Sequence, residues 1–280
     1  MTFDKVQKLS EVTSNYDLIM FDLWGVLVEG GALYPGVADV VNKLMENQQV
    51  LFVSNAPRAR KNAADRIRNF GINCKDEQMF TSGQMSKDLI DNNSDHPMIY
   101  HLSAGQDNNN IEDGYNNLTS NIKEASIMLL TAQLDEDQDL ESLNSILQEA
   151  ADRSIHCICA NPDKIIPNRG KLRYCPGYFA DIYQKMGGKV TYIGKPGKDI
   201  FLQAISSIKD KPKRILMIGD TLDTDILGAR NAGIDSALVL TGNIGTMIAY
   251  CRTEQEKLST IEDFCKSHDI IPTMLIDITA

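Results

Sequence analysis

The chain has 280 residues, 42% hydrophobic and 24% charged, which is the balance of an ordinary globular protein. That length can bury two modest cores or one large one, and no internal repeat or low-complexity domain interrupts it. A formal net charge of -10 argues against broad binding to nucleic acid or to anionic membranes, and any anionic substrate must be drawn in by a local positive site.

Met1-Thr2-Phe3-Asp4-Lys5 holds no apolar signal core, and no apolar run reaches membrane-spanning length. A soluble cytoplasmic protein is expected. The residues before Leu18 read as a short polar helix. Leu18-Ile19-Met20-Phe21 is an apolar run that ends in Asp22 and then Gly25, the pattern of a buried parallel strand with a carboxylate at its carboxyl end. Open α/β sheets place their ligands at such ends. A carboxylate there needs a partner, because burying it alone is costly. A helix N-cap or a structural ion pair is the plainer reading of Asp22 on this segment alone.

Glu29-Gly30-Gly31 is a flexible turn, and Pro35 opens a helix with Val37, Val40, Val41, Leu44 and Met45 on one face. Val50 to Val53 is the next strand and ends in Ser54-Asn55, where a hydroxyl and loop N–H groups suit either a phosphate oxygen or a plain N-cap. A helix over 58–70 stops at Gly71, and Met79 to Ser82 reads as one more core strand.

From Gly83 to Gly188 the character changes. Asn92 to Asp95 and Asp107 to Asn110 are turn-rich breaks around a strand at Met98–Leu102. Ile127–Leu130 and Ile155–Cys159 read as strands, 138–152 as an amphipathic helix, and the second strand leads into Asn161-Pro162-Asp163. Asp135-x-Asp137-x-Asp139 lacks the glycine and glutamate of a calcium loop and is read as an acidic helix N-terminus. A helix from Gly177 to Met186 returns the chain to a strand at Val190–Ile193 and then Lys195. A helix over 199–208, a strand at 215–218, the acidic run Asp220, Asp223, Asp225, a helix to Gly233 and a closing strand at Ala237–Leu240 follow. The last segment carries a helix near 254–267 and an apolar end. Cys74, Cys157, Cys159, Cys175, Cys251 and Cys265 form no C-x-x-C pair and are expected as small buried residues in a reducing compartment.

In chain order the strand ends thus carry Asp22, Ser54, Lys195 and the pair Asp220/Asp225. That order resembles the four motifs of the haloacid dehalogenase superfamily, and the long insertion between Ser54 and Lys195 resembles its class IIA, large-cap branch. The first motif, Asp22-Leu23-Trp24-Gly25-Val26, is similar to that of a bacterial subgroup reading Asp-x-Trp-Gly-Val. The resemblance implies a doubly wound parallel sheet, a Rossmann-like α/β core, from residues 1–83 and 189–280, with 84–188 as an inserted α/β cap.

It also implies a magnesium-dependent phosphohydrolase for a small phosphorylated metabolite. Asp22 is then the nucleophile that forms an aspartyl-phosphate. Mg2+ is held by Asp22, Asp220 and the backbone carbonyl of Trp24, with Asp225 behind them. Ser54, Asn55 and Lys195 hold the phosphate, and Asn161 and Asp163 are the substrate-side residues of the cap. Asp223 is left as a helix N-terminal partner, and a homodimer is compatible with the resemblance. Trp24 departs from the superfamily pattern, because the aspartate usual there acts as acid and base while indole N–H only donates. Three readings follow for Trp24: an enzyme limited to good leaving groups or borrowing a base such as His101 or His156, a retired site in which Trp24 packs, and a phosphometabolite-binding or regulatory protein. A dinucleotide-binding oxidoreductase is disfavoured, since no strand is followed by G-x-G-x-x-G.

Overall fold

The computed structural model describes residues 3, 5–103, 111–112, 115–168 and 171–278. Asp107–Asn110 and parts of the extreme N-terminus, read above as a break and as lacking a signal core, lie outside the described residues. The chain is mixed α/β and forms two compact units. The first comprises Met1–Ser54, Ala64–Phe80 and Lys195–Ala280, and the second Asn55–Ala63 and Thr81–Gly194. Among the described residues, no helix is long and apolar enough to cross a membrane.

The first unit is built on a seven-stranded sheet in the order Val6–Lys8, Met274–Asp277, Asp235–Val239, Ile215–Gly219, Leu18–Phe21, Gln49–Ser54, Met79–Thr81. All pairings from Val6–Lys8 through Gln49–Ser54 are parallel. Leu18 to Phe21 and Ile215 to Gly219 are buried at every position, which explains why both read as unbroken apolar runs. From Leu18–Phe21 the chain builds outward through Gln49–Ser54 on one side, while Ile215–Gly219 builds through Asp235–Val239 on the other. The boundary between these two strands is therefore the point where strand order reverses, and their carboxyl ends open onto one crevice. Helix Val37–Asn47 buries Val37 and Val41 and starts after Gly36, whose φ of 78° ends the preceding turn.

Three expectations are corrected here. The sheet does not close at Asp235–Val239, because the apolar end at Met274–Asp277 pairs with it in the register Leu238↔Leu275 and carries Val6–Lys8 beyond (Val6↔Leu275). The residues before Leu18 consequently hold that edge strand, one turn of helix at Leu9–Val12 and a 3-10 turn at Thr13–Asn15. Ser82 does not finish a strand: it starts helix Ser82–Asp91, whose N-cap Thr81 accepts a hydrogen bond from the Gln84 N–H at 3.0 Å.

The second unit has a five-stranded parallel sheet in the order Val190–Tyr192, His156–Cys159, Ile127–Leu130, Ile99–Leu102, Leu118–Thr119. Val190–Tyr192, expected with the returning segment 189–280, belongs here because its backbone pairs with His156–Cys159 (Cys157↔Val190). The segment Asn55–Ala63 groups with this unit as well. Helix Glu141–Asp152 buries Leu143, Leu147 and Ala150, and Pro176 occupies the first turn of helix Pro176–Lys185. A smaller antiparallel sheet joins Leu134–Asp135, Lys171–Tyr174 and Ile165–Asn168.

The acidic triplet is absorbed by this framework. Asp135 pairs with Arg173 at 2.7 Å, Asp137 with Lys171 at 2.5 Å, and Asp139 accepts from the N–H of Glu141 at the helix start. All six cysteines are free, and five are buried.

Leu275 is fully buried in the cluster around Leu238, Ile244 and Ile261, whereas Tyr250 is almost wholly exposed. Leu275→Ala is expected to cost about 2–5 kcal/mol, and Tyr250→Ala within about 0.5 kcal/mol. Urea unfolding measures both, and equal midpoints would remove Met274–Asp277 from the core.

Candidate active site

Asp22 directly follows Leu18–Phe21, and its N–H continues the ladder by donating to the Ile218 carbonyl at 2.9 Å. Asp220 directly follows the neighbouring strand Ile215–Gly219. Asp225 lies in a single π-helical turn, Leu222–Ile226, ahead of helix Leu227–Ala232, which ends at Gly233. Carboxylate oxygens of Asp22, Asp220 and Asp225 all lie within 4.8 Å of one another, and all three residues are buried. The π turn is what carries Asp225 back towards the strand end, while Asp223, one residue past Leu222, is exposed.

Lys195 threads into this cluster. Its ammonium is 2% exposed and donates to Asp22 Oδ1 at 2.6 Å, Asp225 Oδ1 at 2.6 Å and the Val53 carbonyl at 3.1 Å. Those three bonds use all three of its protons. The other Asp225 oxygen accepts from the Thr221 N–H at 3.2 Å. Asp220 is held on one oxygen by the Thr221 hydroxyl, and on Oδ2 by the Asn243 N–H at 3.0 Å and its side-chain amide at 2.9 Å.

Glycine makes room for this arrangement. Gly25 has φ 80° and Gly242 φ 55°, and a Cβ on either would lie 2.2 or 2.3 Å from Asp220 Oδ2. The Thr241 hydroxyl ties the two loops by donating to the Gly25 carbonyl at 2.6 Å, and the Gly242 N–H donates to the Tyr34 hydroxyl at 3.0 Å.

Three carboxylates face one ammonium, so full ionisation of all three would leave two negative charges in excess. Burial pushes Asp22 well above the usual carboxylate range, with Lys195 opposing and the two other aspartates adding to the rise. Burial likewise pushes Asp220 up to about 7, helped by Asp225 and opposed by the Asn243 N–H. Burial works against the Lys195 ammonium, but Asp22 and Asp225 outweigh it and hold its pKa above the ordinary lysine value. An all-oxygen, over-charged donor set of this kind fits a hard divalent cation.

The other expected residues fall in two places. Ser54 ends its strand in the first unit and is buried. Asn55, Asn161 and Asp163 come together within the second unit: the Asn55 amide donates to Asp163 Oδ1 at 2.8 Å, and the Asp163 N–H donates to Asn161 Oδ1 at 2.8 Å. His101 bridges Glu112 and Thr131, and His156 bonds Thr191, with burial pushing its pKa down, so both are tied into the second unit's own hydrogen bonds. Trp24 is no core residue, being 39% exposed, and the Arg66 guanidinium lies 4.7 Å from its ring centroid.

Sequence reasoning missed Thr241, Gly242, Asn243 and Tyr34. A signal existed for the first three, since Thr-Gly-Asn follows the apolar strand Asp235–Val239 as the other motifs follow theirs. Tyr34 carried none.

A haloacid dehalogenase-like hydrolase family model matches residues 16–233. The chain belongs to this family. It is 25% identical over 263 residues to an acid sugar phosphatase of Staphylococcus epidermidis, covering 92% of this chain and 93% of the relative. It is 27% identical over 267 residues to a 4-nitrophenylphosphatase of Schizosaccharomyces pombe, covering 84% and 87%. The crystal structure of a possible sugar phosphatase of the HAD superfamily from Cytophaga hutchinsonii superposes with a TM-score of 0.80 at 26% identity, over 99% of both chains.

The raised Asp220 has a consequence for stability. Between about pH 4 and pH 7 the folded HAD protein keeps a proton there that the unfolded chain has lost, so stability falls as pH rises through that window. Chelator-treated protein should therefore lose unfolding temperature from pH 5 to 8. Asp220→Asn should flatten the decline, and Mg2+ should reverse it. A pH slope identical in wild type and Asp220→Asn, by calorimetry, would contradict this account.

Proposed function

We propose that this HAD-family chain is a magnesium-dependent phosphohydrolase acting on a small phosphorylated metabolite, with sugar phosphates as the class favoured by its relatives' names. The observation that carries the reading is the buried Asp22–Lys195–Asp225 chain with Asp220 beside it at the sheet's switch point. Asp22 is the nucleophile: its carboxylate oxygen attacks phosphorus, the ester P–O bond breaks, and the leaving oxygen takes the electron pair, an alkoxide then taking its proton from water. Water then cleaves the resulting aspartyl-phosphate, releasing inorganic phosphate and restoring Asp22.

The chain's own residues set up that attack. Lys195 opposes the rise that burial imposes on the Asp22 carboxyl and offsets charge on the incoming phosphate. Ser54 supplies a hydroxyl donor to a phosphate oxygen. Asp22, Asp220 and the Trp24 carbonyl would hold Mg2+, which when bound would supply positive charge against the phosphate oxygens. Asp225 acts from behind, with one oxygen accepting from Lys195 and the other from the Thr221 N–H. Within the second unit, the Asn161–Asp163 turn is assigned to the cap's substrate side.

Trp24 sets the limit on rate. An indole cannot protonate a leaving oxygen and then activate water, a task worth roughly 10²–10⁴-fold in rate. Turnover is therefore fastest on esters whose leaving group needs no proton.

Two outcomes are expected. With Mg2+ the protein hydrolyses 4-nitrophenyl phosphate, and both Asp22→Asn and chelation reduce this to background in a colorimetric assay. Persistent turnover in Asp22→Asn would rule out the aspartyl-phosphate route. Trp24→Asp should raise the rate on alkyl phosphates more than on 4-nitrophenyl phosphate, because a poor leaving group depends most on a proton donor. Folded, metal-binding Trp24→Asp protein with unchanged or lower rates on both classes would show that a missing acid is not what limits the enzyme.

A further inference from the structure

Two arginines on helix Arg60–Asn69 have opposite surroundings. Arg68 is paired with Asp65 at 2.5 Å and with Asp76 at 2.9 Å, and these two carboxylates raise its pKa. Arg66, two residues earlier, has among the described residues no carboxylate, carbonyl or hydroxyl partner. Its contact is the face of Trp24, 4.7 Å from guanidinium carbon to ring centroid. Burial lowers its pKa with no carboxylate to offset the loss of water, yet a guanidinium stays charged at neutral pH.

Such a cation is poised for an anion that the protein itself does not provide. The indole face takes none of the guanidinium's five N–H donors, so the contact with Trp24 is compatible with a bidentate acceptor. The site is close to the chemistry, because Trp24 lies two residues after Asp22 and the chain between their Cα atoms spans at most about 7 Å. Asp22 is buried in the cluster while Trp24 is partly exposed, and Arg66 contacts the ring of that exposed residue.

We propose that the Arg66–Trp24 pair is a binding site for a second anionic group on the substrate, a carboxylate or a second phosphate remote from the phosphate being removed. The proposal rests on the phosphohydrolase reading and narrows it: the preferred substrates are doubly anionic metabolites. It also assigns Trp24 a purpose that a carboxylate at the same position would defeat, since an aspartate there would neutralise Arg66 and repel the substrate's second anion.

The test compares matched substrates. Gluconate 6-phosphate and sorbitol 6-phosphate differ in the terminal carboxylate, and fructose 1,6-bisphosphate and fructose 6-phosphate in the second phosphate. The ratio of kcat/KM within each pair is measured with Mg2+ for wild type, Arg66→Met and Arg66→Lys. Wild type should favour the doubly anionic member of at least one pair by about tenfold or more, the scale of a charge-assisted hydrogen bond. Arg66→Met should abolish that preference, and Arg66→Lys, which keeps the charge but not the fork, should retain part of it. The pair that responds identifies the anion. Ratios that are equal in all three proteins overturn the proposal. If no ester is turned over, the phosphohydrolase reading fails separately. The same ratios are then read as Kd by calorimetry in the Asp22→Asn background, where a preference lost with Arg66→Met sustains the anion site and its absence overturns it.

Discussion

Lys195 reaches Asp22 and Asp225 at 2.6 Å each from a position almost wholly removed from water. A buried ammonium without partners is untenable, and so is any one of the three buried aspartates. Each member is tolerable only because the others are in place, and the surplus of negative charge leaves the group short of a cation. Much of the neighbouring sequence serves this cluster. Gly25 and Gly242 keep side-chain atoms off Asp220, Thr241 pins the two loops together, and Asn243 holds one Asp220 oxygen.

The sheet decides where such a cluster can exist. Asp22 and Asp220 stand on adjacent strands paired Ile218↔Phe21, 198 positions apart in the chain, at the point where strand order reverses. Helices following these strands diverge there, so the strand ends are not covered by their own connections. The parallel pairing also explains why strand ends, and not strand interiors, carry every motif: interiors such as Leu18–Phe21 are buried throughout and have no place for a polar group.

Trp24 changes meaning between sequence and structure. As a letter it is the loss of an acid, and a packing role is the plainest account of it. As a side chain it is exposed and lies beneath the guanidinium of an arginine that has no carboxylate of its own among the described residues. That juxtaposition joins residues 42 positions apart, on a loop and on a helix that share no motif.

Local pattern was enough for the elements that are buried or capped in their own right. Apolar runs gave Leu18–Phe21 and Ile215–Gly219, the 3.6-residue period gave Val37–Asn47, and glycines marked Gly71 and Gly233 as helix ends. The order of Asp22, Ser54, Lys195 and Asp220 along the chain was likewise legible, because each follows an apolar run that ends abruptly. Pairing was not. Met274–Asp277 shows an apolar run without a partner until Asp235–Val239 and Val6–Lys8 are laid beside it, and Val190–Tyr192 looks like a core strand until it hydrogen-bonds to His156–Cys159. Hydrogen bonding between strands is blind to sequence distance, and the same short β run suits either sheet. The sequence by itself thus determined which residues are polar at strand ends. Only the tertiary structure decided which of them meet: Asn55 with Asp163, Asn243 with Asp220, and Arg66 with Trp24, since each contact depends on loops closed over many residues.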